Sequence, residues 1–489
     1  MSINIGKTIN IILLIFIFFN IISLTKEKYL TIPFKVVYSY EPDSFTTLDD
    51  YFNYWSYISL YGEISVGTPP HKIITKLTFD DYGISVLNKG CDYNISSNDI
   101  NTTLNLQNSS SSFNQTYDFF YGYETFYYKS FHDAFYAKDI FYFDSLSHDG
   151  KVNDNIKIEN LSFIYSPNDN KQICTYFNIG LKAYCRNLRE TSLNIIKQLK
   201  QFDIINSYDW SIIYDNNMKY PDKGVFLVGG KPHEYNPELF NENDIFGSGS
   251  ISDETMPYFN FILNEIYFNS SLNTVEKISI TDLYTVQLIP TYRLIKGSQD
   301  YERKIEIYFF SNFISENKCF KEYKDKENKN SFRTFVCYNK PDIKEELKTK
   351  FPILKLKQKN FLYTFELNYD DLFQEKGDKI YFLVWFSSNV QTSWELGHPF
   401  TKKYLFNYNS DNKLVSFYNK IKNEEDGNNE SSKNSYLLKI IIVIILIIVA
   451  TVLGFIIGMF FKKKKKPIAQ ELESESTSAL FGENENHTE

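Results

Sequence analysis

A chain of 489 residues can bury one large core or two that pack as lobes, and its formal net charge of −8 is spread along the sequence. That spread sets nucleic-acid binding aside as the main activity. Tyr (38) and Phe (43) are abundant and favour strands, whereas Gly numbers only 20.

The first 25 residues hold Lys7 and an apolar run from Ile11 to Leu24, interrupted by Asn20. Too short to span a bilayer comfortably, this run reads as a signal peptide cut near Ser23 to Lys26. Residues 26–56 form a polar, short prosegment-like stretch with a strand-like Leu30 to Val37. Tyr61-Gly-Glu-Ile-Ser-Val-Gly-Thr-Pro-Pro70 alternates apolar positions at Ile64 and Val66, then turns at Gly67 and Pro69-Pro70. Lys72 to Phe79 alternates again and runs into Asp80 and Asp81, with Gly83 close behind. A carboxylate at a strand end, beside a residue free to take positive φ, suits acid–base chemistry. The same residues also read as a solvated acidic turn.

Asn88 to Thr116 is rich in Ser, Asn and Thr and reads as a glycosylated surface loop. Tyr117 to Phe143, aromatic with turn residues in the middle, predicts a long hairpin. Leu188 to Phe202 carries Leu193, Ile196 and Leu199 at helical spacing. Tyr258 to Phe268 predicts a strand pair leading into Lys277 to Thr285, which contains Asp282.

Residues 420–439 form a polar juxtamembrane linker, and Ile440 to Phe461 is a run of 22 residues without a charge. Such a run crosses about 30 Å of hydrocarbon as a helix. The five lysines Lys462 to Lys466 then place the tail, residues 462–489, in the cytosol. The expected topology is single-pass type I in the secretory pathway, at the cell surface or an endo-lysosomal or vacuolar membrane. Glycosylation sequons at Asn94, Asn101, Asn108, Asn114, Asn160, Asn269 and Asn429 all fall on the predicted luminal side. The five cysteines then sit in an oxidising compartment, and an odd count leaves at least one unpaired or paired outside the chain. The nearest pair among Cys91, Cys174 and Cys185 is Cys174 with Cys185. None of the six histidines has zinc spacing and no Gly-rich phosphate loop is present, so no metal and no cofactor is expected.

The Tyr61 to Pro70 motif resembles the opening strand of the pepsin-like aspartic proteases. The family's next strand ends in Phe-Asp-Thr-Gly, whose Asp is one of two catalytic carboxylates. The corresponding triplet here is Asp81-Tyr82-Gly83, or Asp80-Asp81-Tyr82 one residue back. Phe177 to Tyr184, Gly224 to Gly230, Phe351 to Leu356 and Trp394 to Phe400 are similar to later family anchors and arrive in family order. The resemblance implies a mainly β, bilobal pepsin-like domain over residues 57–419, with lobes of about 57–240 and 241–419. It implies a catalytic role for Asp282, a flap over the substrate cleft at Tyr121 and Gly122, and a disulfide between Cys319 and Cys337. A peptide or protein in the interlobe cleft is the implied partner, and a monomer the expected state.

Two carboxylates that share one proton are what the chemistry needs, one as base on a water and one as acid on the scissile carbonyl. The family's Thr after each Asp is replaced here by Tyr82 and Leu283, and its second-loop Gly by Tyr284. Three readings follow. The cleft binds peptides with hydrolysis impaired or lost; or the chain is an active acid endopeptidase with an aberrant dyad; or it is a structural or adhesive surface glycoprotein.

Overall fold

A computed structural model describes residues 29–38, 58–79, 83–90, 106–119, 135–146, 152–166, 173–181, 193–215, 223–249, 259–269, 275–278, 285–325, 332–358, 363–387 and 394–420. The signal-peptide-like run, the charge-free run 440–461 and the cytosolic tail fall outside these. Among the described residues, no helix is long and apolar enough to cross a membrane.

Alternation of apolar and polar residues shapes the end of β2, where Ile64 and Val66 are buried and Glu63 is exposed, while Ile58 to Gly62 are buried on both faces. The first part of the chain supplies β1 (Leu30–Tyr38), β2 (Ile58–Val66), β3 (His71–Thr78), β4 (Ile84–Gly90), β5 (Asn114–Phe119) and β6 (Phe135–Leu146). It continues with β7 (Val152–Ser166), β8 (Ile173–Gly180), β9 (Asp209–Tyr214), β10 (Lys223–Val228) and β11 (Phe240–Gly249). The later part supplies β12 (Asn260–Ile262), β13 (Glu265–Asn269), β14 (Val275–Ile278), β15 (Thr285–Leu288), β16 (Ile295–Gly297), β17 (Cys319–Tyr323) and β18 (Arg333–Tyr338). It ends with β19 (Leu354–Gln358), β20 (Tyr363–Leu367), β21 (Phe373–Lys376), β22 (Lys379–Phe382), β23 (Val384–Phe386), β24 (Trp394–Leu396), β25 (Leu405–Asn409) and β26 (Leu414–Lys420).

The result is a mainly β, bilobal-like architecture. A 13-stranded sheet runs in the order β11-β26-β25-β9-β10-β1-β2-β3-β8-β4-β7-β6-β5, and a 9-stranded sheet runs β12-β15-β24-β16-β23-β18-β22-β21 with β17 on β18. A 4-stranded sheet, β14-β13-β19-β20, packs with the later part. The last two strands of the chain therefore join the sheet of its first part. Four contacts secure that return: Asp209 accepts from the Nδ2 atoms of Asn407 at 2.8 Å and Asn409 at 3.2 Å, Ser211 Oγ donates to Asn407 Oδ1, and the Trp210 indole donates to Ser410. Trp210 also stacks on Tyr408 with ring centroids 4.2 Å apart.

The aromatic excess is spent on the core. Phe310 stacks on Phe335 at 4.1 Å and meets Phe382 at 5.5 Å, and all three are buried. Cys319 and Cys337 face each other across β17 and β18 and form a disulfide. Closing a loop of this size contributes about 3 kcal/mol through the denatured state. The side chains of Cys91, Cys174 and Cys185 lie outside the described residues.

Two expectations need correction, and one is met. The helical spacing over Leu188 to Phe202 is met by the helix α2 (Ile195–Gln201), which follows α1 (Leu106–Ser109); residues 188–192 lie outside the described residues. Asn194 caps it, its side chain accepting from Lys197 N, and so competes with the backbone for an earlier start. The strands β12 and β13 are present but do not pair with each other: β12 pairs β15, and β13 pairs β14 and β19, in different sheets. The described end of the Asn88 to Thr116 stretch is not a simple surface loop. There α1 buries Leu106 completely, and Ser110 is also buried.

Candidate functional site

Asp80, Asp81, Asp282, Tyr121 and Gly122 all lie outside the described residues. The strands on either side of them in sequence are described. In the first part of the chain, β8 lies between β3 and β4, parallel to β3 and antiparallel to β4. In sequence, Asp80 and Asp81 fall in the β3 to β4 connection, the first crossover. In the later part, β24 lies between β15 and β16, parallel to β15 and antiparallel to β16. The crossover that corresponds is Ile289-Pro-Thr-Tyr-Arg-Leu294.

The register makes the correspondence residue by residue. Asn178 of β8 faces both Lys76 and Ser85, and Glu395 of β24 faces both Gln287 and Lys296. Each crossing takes nine positions along the chain. Counting from the matched strand positions sets Thr291 opposite Asp80 and Tyr292 opposite Asp81. No carboxylate occurs anywhere from Ile289 to Leu294. In sequence, Asp282 precedes β15, whereas Asp80 and Asp81 follow β3. Sequence reasoning passed over this crossover. Its signal is Pro290, two residues after the alternating Val286 and Leu288, which marks a strand end and turn.

The second crossover is packed and hydrogen-bonded through its backbone. Ile58 N, at the start of β2, donates to Thr291 O at 2.8 Å, and His398 N donates to Tyr292 O. Ile289, Thr291, Arg293 and Leu294 are buried. Arg293 reaches Gln374 Oε1 at 3.4 Å. Its charge, with that of Lys402, reinforces burial in holding the His398 imidazole well below its usual range; burial is the larger cause. His398 is fully enclosed in the short helix α3 (His398–Thr401), its ring edge-on to Tyr214 at 4.9 Å. Neither ring nitrogen has a hydrogen-bond partner among the described residues.

The turn after β2, part of the Tyr61 to Pro70 motif, is clamped by a buried carboxyl. Asp139 of β6 accepts from Ser110 Oγ at 3.1 Å, from Ser112 Oγ, and from Ile140 N at 2.8 Å. Ser110 Oγ in turn accepts from Thr68 N at 3.1 Å, and Ser111 N donates to Thr68 O at 2.8 Å. The Ser-rich segment and the motif turn are thus one unit, which the sequence pattern does not announce. Among the described residues no group of His, Cys, Asp and Glu is arranged to hold a metal ion. Asn108, Asn114, Asn160 and Asn269 are exposed; Asn94, Asn101 and Asn429 lie outside the described residues.

No family model and no curated protein matches this sequence. Among solved structures, conglutin gamma, a basic 7S globulin from lupine seeds, is similar at a TM-score of 0.52 and 12% identity, over 80% of this chain and 95% of that one. Soybean basic 7S globulin is 10% identical over the same shares at a TM-score of 0.49, too low to carry an argument. At 12% identity the likeness to conglutin gamma shows a shared fold.

Proposed function

We propose that this chain is a pepsin-fold protein of the secretory pathway that keeps its cleft to bind a peptide or protein and has lost two-carboxylate hydrolysis. The crossover Ile289 to Leu294 supports the reading, because in sequence count from the matched strands Thr291 and Tyr292 take the positions of Asp80 and Asp81. A lone carboxylate can act as base on a water, but the scissile carbonyl then lacks its acid partner. On this reading Asp282 is not that partner, since in sequence it precedes β15 whereas Asp80 and Asp81 follow β3. The apolar run 440–461 with its lysine stop supports a type I anchor, and the exposed sequons support a luminal domain.

The test is a quenched fluorogenic peptide library incubated with purified residues 26–433 from pH 3 to 7, with and without a pepstatin-type analogue. Circular dichroism at each pH keeps the outcome tied to folded protein. The expected result is no inhibitable cleavage by folded protein. Inhibitable cleavage that disappears in Asp282→Asn establishes the aberrant dyad instead and overturns this proposal.

A further inference from the structure

The strand β1 is the splint of the large sheet. It pairs antiparallel with β10, Leu30 to Lys35 facing Val228 to Lys223, and antiparallel with β2, Phe34 to Tyr38 facing Gly62 to Ile58. Among the described residues β10 and β2 do not pair with each other, so β1 alone joins the two parts of the sheet. Leu30, Ile32, Phe34 and Val36 are all at most 7% exposed, and Thr31 on the opposite face is fully buried.

Both neighbouring strands are shaped to this one segment. A Cβ at Gly62 would stand 2.6 Å from Pro33 O and 3.1 Å from Ile32 Cγ2, and all its nearest atoms belong to β1. A Cβ at Gly224 would stand 2.4 Å from Ile213 O of β9 and 2.5 Å from the Phe34 ring, so this glycine serves both of its neighbours. Pro33 cannot donate to the ladder, and the β1–β2 pairing begins only at Phe34. A generic strand in this place would not need Gly62.

We propose that residues 29–38 are a permanent strand of the working protein, seated by Gly62 and Gly224, and not a prosegment to be shed. A cut between Tyr38 and Ile58 then gives a two-chain protein that still holds β1. Shedding would leave the facing edges of β10 and β2 without hydrogen-bond partners and uncover the apolar floor under Phe34. This holds whether or not the cleft hydrolyses peptides.

A site-specific protease sequence placed between Tyr38 and Ile58 of the detergent-solubilised full chain tests it. After cutting, native size-exclusion chromatography with mass spectrometry should find the short fragment with the body, and separate them only in denaturant. A body that loses the fragment, elutes as a folded monomer and keeps its near-ultraviolet circular dichroism overturns the proposal. In the cut protein, Gly62→Ala should speed fragment loss at least tenfold, and an unchanged rate contradicts the seat. If that variant fails to fold, the N-terminus of the protein isolated from its own cells decides. Residues 29–38 should be present on the main or a companion chain, and a mature protein lacking them refutes the inference.

Discussion

Replacing His398 with leucine removes a titrating ring from a site with no hydrogen-bond partner for it among the described residues, and the consequence is readable as a pH slope. The imidazole is 4% exposed, faces Tyr214 from β9, and lies near two cations, Arg293 of the second crossover and Lys402 of its own turn. Burial first, and these cations second, hold the folded ring neutral well below 6.5, its ordinary value, which it regains in the unfolded chain. Below that value unfolding therefore takes up one proton, so acid favours the unfolded state. Stability is fully present above 6.5 and falls by about 1.4 kcal/mol per pH unit as pH drops toward the folded pKa. Urea titrations followed by tryptophan fluorescence, with Trp210 stacked on Tyr408 as a core probe, give the midpoint and slope at each pH. The wild type should lose stability between pH 6.5 and more acid values by one proton more than His398→Leu does. Parallel pH curves for the two proteins refute the reasoning.

Two further substitutions probe the buried polar groups by the same titration at pH 7.5. Asp139→Ala strips the acceptor from Ser110, Ser112 and Ile140 N and should cost roughly 2–4 kcal/mol, with proteolysis in the Ser-rich segment rising first. A loss below about 0.5 kcal/mol contradicts the clamp. Glu302→Gln breaks a bidentate pair with Arg333, at 2.7 and 2.6 Å, and a contact to Lys321 at 3.2 Å. Both partners are less than 15% exposed, so roughly 3 kcal/mol should be lost, whereas a value under about 1 kcal/mol places the pair in effective contact with water.

Local pattern made most strands legible. The alternation in Leu30 to Val37 matches β1, because one buried face imposes a period of two, whereas β10 and β26 fall where the family resemblance implied strands. The half-site disulfide partners were legible through the family resemblance, and Cys319 and Cys337 do face each other. What escaped was non-local. The order β15-β24-β16 joins segments about one hundred residues apart, and only that pairing reveals Ile289 to Leu294 as a counterpart of the Asp80 and Asp81 crossover. The serine-rich segment escaped for another reason. Its structure comes from a single buried acceptor, Asp139, and a polar composition with no apolar period gives no sign of one.

The return of β25 and β26 to the first sheet sets an order in time. A chain leaves the ribosome from its N-terminus, so β9 and the Asp209 carboxyl are made long before the Asn407 amide that meets it 198 residues later. Until then β9 presents an unpaired edge beside a buried-to-be indole, the kind of surface that chaperones hold and that other chains can extend. A product that stops before Leu405 keeps that edge open permanently. The final strands act as a receipt of completion, and the sheet closes only for a chain synthesised through Lys420.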